Sequence, residues 1–134
     1  MYQKITEWFL RIALSVTLLS AVADRFGWWS KSLAVWGNWE NFLAYTQTLM
    51  PFVPNSLIGM MGSLATLLEV VFAIGLLLNF KTSLIAKCTG ALLLIFGLSM
   101  AFAINIKAPL DYSVFVASAG AFALSVILDH KKHK

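Results

Sequence analysis

Four long runs of apolar residues divide the chain, and each is long enough to cross a bilayer as a helix. Short connections follow the second and third runs, so each of the later helices must return antiparallel beside the one before it. The pattern predicts an all-α fold, a four-helix transmembrane bundle that forms one domain over residues 1–134. The predicted spans are Ile5 to Phe26, Leu57 to Leu78, Ser83 to Ile106 and Leu110 to Leu128.

The interval between the first two spans, residues 27–56, is the longest polar stretch. Its apolar spacing predicts a short interfacial helix from about Trp39 to Met50, which Pro51 ends. Aromatic side chains beside a span are typical of an interfacial belt, and an aromatic lid over a ligand cavity is the alternative. The interval contains four tryptophans: Trp28, Trp29, Trp36 and Trp39.

Glu69 is the one ionisable residue of the second span. The helical period places small or weakly polar residues on its face, and such a face lets another helix approach closely. A carboxylate that faced lipid would cost several kcal/mol. We therefore expect Glu69 to point into the bundle. The residues that share its face are Gly62, Ala65, Thr66 and Ala73.

Arg11 in the first span is the expected partner of Glu69. The predicted depths of the two residues differ by about one helical turn, roughly 5 Å, which an arginine side chain can reach across. An ion pair between Arg11 and Glu7, four residues apart, is the local alternative. An Arg11–Glu69 pair would be either a structural clasp between helices or a site for proton exchange or ligand binding.

Charged residues also gather at the ends of the predicted helices on the tryptophan-rich side. Asp24 and Arg25 end the first span, Lys107 lies between the third and fourth spans, and Asp111 lies in the first turn of the fourth. These four could surround the mouth of a cavity, but solvated helix ends are the favoured interpretation. Asp24 joins Glu69 and Arg11 as a candidate ligand-binding residue, because it could anchor a polar group.

Composition agrees with a membrane protein, since 60% of the residues are hydrophobic and 12% are charged. The net charge of +4 does not indicate nucleic-acid binding, because three lysines lie in the last four residues and mark a membrane flank. The distribution of basic residues predicts cytoplasmic termini and an external tryptophan-rich interval. The expected location is the inner cell membrane.

The first span also imitates a secretory signal peptide, because its apolar run ends in a small-x-small pattern, Ala21-Val22-Ala23. The acidic Glu7 in the amino-terminal region argues against cleavage. Further apolar spans follow it. We therefore expect an uncleaved membrane anchor.

Other chemistries have little support in the sequence. A single cysteine, Cys88, excludes an intramolecular disulfide. His130 and His133 amount to a weak accidental metal site at most, so no metal site is predicted. The predicted spans contain no histidine to ligate a haem.

Four features together resemble the DoxX family. They are an arginine early in the first span (Arg11), the span's exit Ala23-Asp24-Arg25-Phe26-Gly27, the membrane glutamate followed by apolar residues (Glu69 to Leu78), and the stretch Lys107 to Phe115. The resemblance extends over nearly the whole chain. It implies a four-helix membrane protein with a redox or quinone-associated role.

Two functions follow from this resemblance and from the residues. The first is a quinone-associated or accessory subunit of a membrane oxidoreductase, in which Glu69 exchanges a proton. The second is a non-enzymatic binder or carrier of a small hydrophobic ligand or lipid, or an assembly factor. The chain has no intrinsic cofactor ligands in either case, and quinone is the implied bound group. An oxidoreductase partner and a homo-oligomer both remain open.

Overall fold

A computed structural model describes residues 1–132 of the chain, and the side chains of residues 1–131. This part of the chain forms six helices and no strands. Four of them, α1, α3, α4 and α6, are long and apolar enough to span a membrane. The all-α four-helix bundle is confirmed, and the protein is a multi-pass membrane protein. The helices are α1 (Tyr2–Arg25), α2 (Trp39–Leu49), α3 (Asn55–Leu77), α4 (Thr82–Ala103), α5 (Lys107–Asp111) and α6 (Val114–Lys132).

The connection between α4 and α6 differs from the prediction of a simple turn, because it contains the short helix α5. Asn105 Oδ1 accepts a hydrogen bond of 3.0 Å from the backbone N–H of Ala108 and helps to start the helix. Pro109 is tolerated because it lies within the first turn. Ser113, with a φ of 55°, then separates α5 from α6. Asp111 consequently belongs to α5 and not to the fourth span.

The four long helices form a ring in which α1 contacts α3 and α6, and α4 contacts the same two helices. We call the end that carries α2 and α5 the α2 end, and the end with the chain termini and the α3–α4 turn the terminal end. Hydroxyl groups join helices across the ring. Ser15 donates to the carbonyl of Ala73 at 2.8 Å, and Ser118 donates to that of Gly90 at 2.7 Å.

Apolar residues divide between a core and an outer surface. The outer surface includes a stripe along α1 at helical spacing, as lipid contact requires. Its exposed members are Ile5, Phe9, Ile12, Val16 and Leu19. The packed core extends from the middle of the bundle toward the terminal end. Its buried members are Leu14, Leu18, Ala73, Leu76, Ala86, Leu93, Ala121 and Leu124.

Helix α2 closes over the other end of the ring. It begins at Asn38, whose side chain accepts a 2.8 Å hydrogen bond from the N–H of Asn41. It packs onto α3 at Gly62, where an added Cβ would lie 2.6 Å from Leu43 Cδ2 and 3.1 Å from Phe42 Cε2. A side chain at position 62 would therefore require Leu43 to shift. Helix α2 also contacts α4, so it covers the space between the two helices.

Candidate ligand-binding site

Arg25 and Glu69 form an ion pair in the α2 half of the bundle. Their side chains are 3% and 4% exposed. Arg25 Nη1 also donates a hydrogen bond of 2.8 Å to the hydroxyl of Thr66. That hydroxyl in turn donates to the carbonyl of Gly62 at 2.8 Å. The guanidinium is thus held against α3 by two side chains one turn apart.

Aromatic rings cover the other side of the guanidinium. The ring of Phe42 lies 4.0 Å from Arg25 Cζ, and the ring of Trp36 lies 5.3 Å away. Both distances permit a favourable interaction of the cation with the ring faces. Arg25 therefore lies between α3 and an aromatic cover formed by α2 and the loop before it.

Two buried donors at this place have no acceptor within the part of the chain that the structure describes. They are Arg25 Nε and Trp36 Nε1. A buried N–H without a partner costs roughly 1–3 kcal/mol, so native proteins rarely leave one unsatisfied. Both residues line the same cavity. The arrangement can therefore bind a group that offers hydrogen-bond acceptors.

Asp24 holds the loop that carries Trp36. Its carboxylate accepts hydrogen bonds from three consecutive backbone N–H groups, those of Val35 at 2.8 Å, Trp36 at 3.3 Å and Gly37 at 2.9 Å. These bonds satisfy most of the carboxylate's acceptor capacity. Asp24 therefore acts on the cavity by positioning Trp36. The structure gives it a loop-anchoring contact where the sequence suggested a polar anchor for a ligand.

The cavity has a volume of about 520 Å³, within the usual range for sites that bind small molecules. Its walls come from α1, α2, α3 and α4, and they are mostly apolar. Polar side chains interrupt them at a few points only. Apart from Asp24, Arg25, Trp36 and Glu69, the polar lining consists of Thr17, Ser20, Tyr45, Thr46, Ser99 and Tyr112.

Tyr45 of α2 keeps its phenolic proton over the whole physiological range. Burial raises the pKa of Tyr45 above its ordinary value, and the neighbouring Tyr112 raises this pKa further. The phenol is therefore a neutral group that can donate a hydrogen bond. It adds a hydrogen-bonding group to the cavity without adding a charge.

The expected ion pair between Arg11 and Glu69 is wrong. Arg11 pairs with Glu7 at 3.0 Å, the local alternative, at the terminal end of the bundle. Its Nε and Nη2 atoms donate to the carbonyls of Leu76 at 2.6 Å and Leu78 at 2.9 Å. Nη2 also donates to Asn79 Oδ1 at 3.2 Å. Arg11 is therefore a clamp on the end of α3 and has no contact with the cavity.

The register of α1 against α3 explains this error. The bond from Ser15 to the carbonyl of Ala73 sets these two residues at similar depth. Because the helices are antiparallel, Glu69 is then level with about Leu19, two turns or roughly 12 Å from Arg11. The cavity end of α1 at Arg25 is closer, less than two turns or roughly 9 Å from the level of Glu69. Arg25 reaches it from there.

Lys107 and Asp111 take no part in the site. They form an ion pair at 2.7 Å within α5, and their side chains are 78% and 54% exposed. This outcome fits the interpretation of solvated helix ends for these two residues. It does not fit Asp24 and Arg25, which are buried and line the cavity.

Trp36 and Arg25 are the residues whose roles the sequence did not identify. The tryptophans of the interval between α1 and α2 include examples of both predicted roles, an interfacial belt and an aromatic lid over a cavity. Trp28 and Trp29 are 74% and 45% exposed, as in an interfacial belt. Trp36 lines the cavity, as in a lid. Two glycines on either side of the loop, at positions 27 and 37 with φ of 74° and 81°, are the sequence signal that it folds back on the bundle.

Metal ligation and known relatives give no further assignment. The described residues contain no group of three or more histidine, cysteine or acidic residues that could hold a metal ion. His133, one of the two tail histidines, lies outside the described residues. No family model, curated protein or solved structure matches the chain.

Proposed function

We propose that the protein is a DoxX-like membrane protein that binds a lipid-soluble quinone in the cavity beside Arg25 and Glu69. It would serve a membrane oxidoreductase as an accessory, quinone-binding subunit. The single observation that carries the proposal is the pair of buried, unpartnered donors, Arg25 Nε and Trp36 Nε1, in an otherwise apolar cavity. The DoxX-like motifs of the sequence add the quinone class to this geometry.

The charges of the site favour a neutral ligand over an anionic one. The carboxylate of Glu69 already balances the guanidinium of Arg25, and the carboxylate of Asp24 is engaged with backbone N–H groups. An added carboxylate or phosphate would meet net negative charge at close range. A quinone offers neutral carbonyl oxygens, which fit the two free donors.

The residues of this chain divide the work as follows in the proposal. Arg25 and Trp36 donate hydrogen bonds to a carbonyl oxygen, and Phe42 covers the guanidinium and excludes water. Glu69 is the group that would exchange a proton with a quinone bound in the cavity. When bound, the quinone supplies reversible two-electron and two-proton chemistry. Its electrons would come from the partner subunit.

Extraction of the purified protein tests the proposal first. The protein is isolated in mild detergent, its lipid-soluble material is extracted, and quinone is quantified by mass spectrometry. We expect near-stoichiometric quinone. Phospholipid alone, with no quinone recovered and none bound on addition, would contradict the proposal.

Titration with a methyl-naphthoquinone, followed by quenching of tryptophan fluorescence, tests the site. Trp36→Phe keeps the ring but removes one donor, so affinity should fall about 2–10-fold. Trp28→Phe is the matched control, because Trp28 is 74% exposed and does not line the cavity. Its affinity should equal that of the unaltered protein. Equal affinities for all three proteins would exclude the site.

A binder or carrier of lipid is the second candidate function. It is favoured by an apolar groove that adjoins the cavity and opens on the lipid-facing surface. In that case the extract contains one lipid species in stoichiometric amount, and Glu69→Gln leaves its binding unchanged. Loss of binding in Glu69→Gln favours the quinone.

The proposal includes an orientation with both termini in the cytoplasm of a bacterial inner membrane, on the positive-inside rule. In a Cys88→Ser background, single cysteines at positions 4 and 31 can be labelled from either side. A membrane-impermeant maleimide added to intact cells should label position 31 only. Labelling at position 4 only would show the opposite orientation and contradict this part of the proposal.

A further inference from the structure

A second apolar space adjoins the cavity. It is a groove of about 360 Å³ between the carboxyl-terminal end of α2 and the carboxyl-terminal part of α4. Three residues, Leu49, Ile95 and Ser99, line both spaces, so the cavity and the groove adjoin each other at these residues. Ile95 and Ser99 are one turn apart on α4 and form the junction.

The groove opens outward on the lipid-facing side. Phe52 and Phe102 on its walls are 80% and 87% exposed, and Leu98 is 43% exposed. Its polar character is limited to the single hydroxyl of Ser99 at the junction. Apart from that hydroxyl, the side chains of the groove offer no donors or charges for a head group. It suits a hydrocarbon chain.

We infer that the cavity and groove together bind one amphipathic molecule with a neutral, acceptor-bearing head and a single long apolar chain. The head lies at Arg25 and Trp36, and the chain passes Ile95 and Ser99 into the groove along α4. This inference rests on the proposed function, because it needs a head in the cavity. It adds the chemical class of the ligand's chain and the path that the chain follows.

Affinity alone is a weak test of this path. Lipid tails are as apolar as the groove, so transfer of a chain from bilayer to groove has little hydrophobic driving force. We expect a long chain to raise affinity only about threefold over a chainless head when both are expressed as mole fraction in the bilayer. The position of the chain is the sharper observable.

Photocrosslinking in lipid nanodiscs measures that position. The probe is a naphthoquinone with a long alkyl chain that ends in a diazirine, and the labelled residues are mapped by mass spectrometry. We expect labels on the groove, at Phe52, Leu98 or Phe102. Excess chainless methyl-naphthoquinone should reduce the yield of these labels at least fivefold, because it displaces the head of the probe from the cavity.

Two alanines of α4 provide a matched pair of variants. Ala103 lines the groove, whereas Ala91 is exposed on the same helix and lines neither space. Ala103→Trp should reduce groove labelling at least fivefold and leave quenching by the chainless quinone unchanged. Ala91→Trp should alter neither. Equal labelling in both variants would overturn the assigned path.

The outcomes separate this inference from the proposed function. If the chainless quinone does not bind, the proposed function fails first. If it binds but the chain labels α1 residues such as Phe9 and Val16, only the path fails. A phosphatidylcholine that carries the same diazirine is the comparison probe. Groove labelling by it that equals labelling by the quinone and resists the chainless competitor would show ordinary bilayer lipid and overturn the inference.

Discussion

Two buried arginines of the same helix, Arg11 and Arg25, differ in how many of their hydrogen-bond donors have partners. Arg11 donates to fixed carbonyls at the end of α3, to Asn79 and to Glu7, and it is 1% exposed. Arg25 is 3% exposed, yet it bonds only the side chains of Thr66 and Glu69 and leaves Nε without a partner. Burial alone therefore does not distinguish the two arginines, whereas the unpaired Nε of Arg25 does.

The surroundings of the two arginines also differ: Arg11 lies in a packed region and Arg25 lies beside a cavity. Arg11 lies beside the packed core, where backbone acceptors cannot move away. Arg25 lies beside the cavity, under rings carried by α2 and by a loop that one carboxylate holds. The terminal half of the bundle thus fixes the helices, and the α2 half is built around a space.

Loss of Arg11 should have the largest effect. Arg11→Met leaves Glu7 without its closest cation and the end of α3 without two donors. We expect a loss of about 3–5 kcal/mol in unfolding free energy, measured by circular dichroism in mixed detergent micelles. Lys87→Met is the control, since its ion pair with Asp129 is about half exposed and is worth less than about 1 kcal/mol.

Double replacements sharpen the comparison. Arg25→Met with Glu69→Leu removes both charges of a pair whose other contacts are few, so stability should stay within about 1 kcal/mol of the unaltered protein. Glu7→Leu with Arg11→Met should remain about 2 kcal/mol or more below it, because the Leu76 carbonyl and Asn79 Oδ1 lose their donor, whereas the Leu78 carbonyl keeps the hydroxyl of Thr82. Equal stability of the two doubles would remove the distinction between the arginines. Quinone binding should be lost in the first double only.

Asp24→Asn weakens the anchor of the loop that carries Trp36. An amide offers one acceptor oxygen and turns its NH₂ group toward backbone N–H groups, so we expect a cost of about 1–3 kcal/mol. The loop should then open more often. Trypsin cleavage after Lys31 measures this, and it should be several times faster than in Glu40→Gln, the exposed control on α2. Unchanged cleavage would show that the carboxylate does not hold the loop.

Gly62→Ala tests the contact of α2 on α3. The added methyl meets Leu43 and Phe42, so over-packing should cost about 1–2 kcal/mol and weaken quinone binding by displacing the cover of Arg25. Gly59 is one turn away and has nothing within 4 Å of an added Cβ. Gly59→Ala should therefore leave binding unchanged and be neutral or slightly stabilising. Matched results for the two glycines would argue against close packing at position 62.

Much of the fold was predictable because apolar length and helical period are strong signals in a membrane protein. The small residues on the same face of α3 predicted that Glu69 points into the bundle, and its side chain is indeed buried there, with the residue 3% exposed. Its partner was not predictable, because the sequence does not give the register between helices. The bond from Ser15 to Ala73 sets that register and carries Glu69 beyond the reach of Arg11.

Backbone acceptors explain the rest of the error. The last carbonyls of α3 have no partners within their own helix, and Arg11 satisfies two of them. Opposite charge in the sequence points to charged side chains as partners and not to these carbonyls. Arg25 was expected to be solvated because it ends a span. The glycines that flank the loop indicate that it folds back, but the sequence does not indicate that Trp36 and Phe42 cover Arg25.

An experimental structure of the protein with a bound naphthoquinone tests the central claim most directly. The account predicts density for the ring in the cavity, with a carbonyl oxygen within hydrogen-bond distance of Arg25 Nε and Trp36 Nε1. Density elsewhere, with Arg25 Nε bonded to a protein acceptor and the cavity filled by side chains, would contradict it.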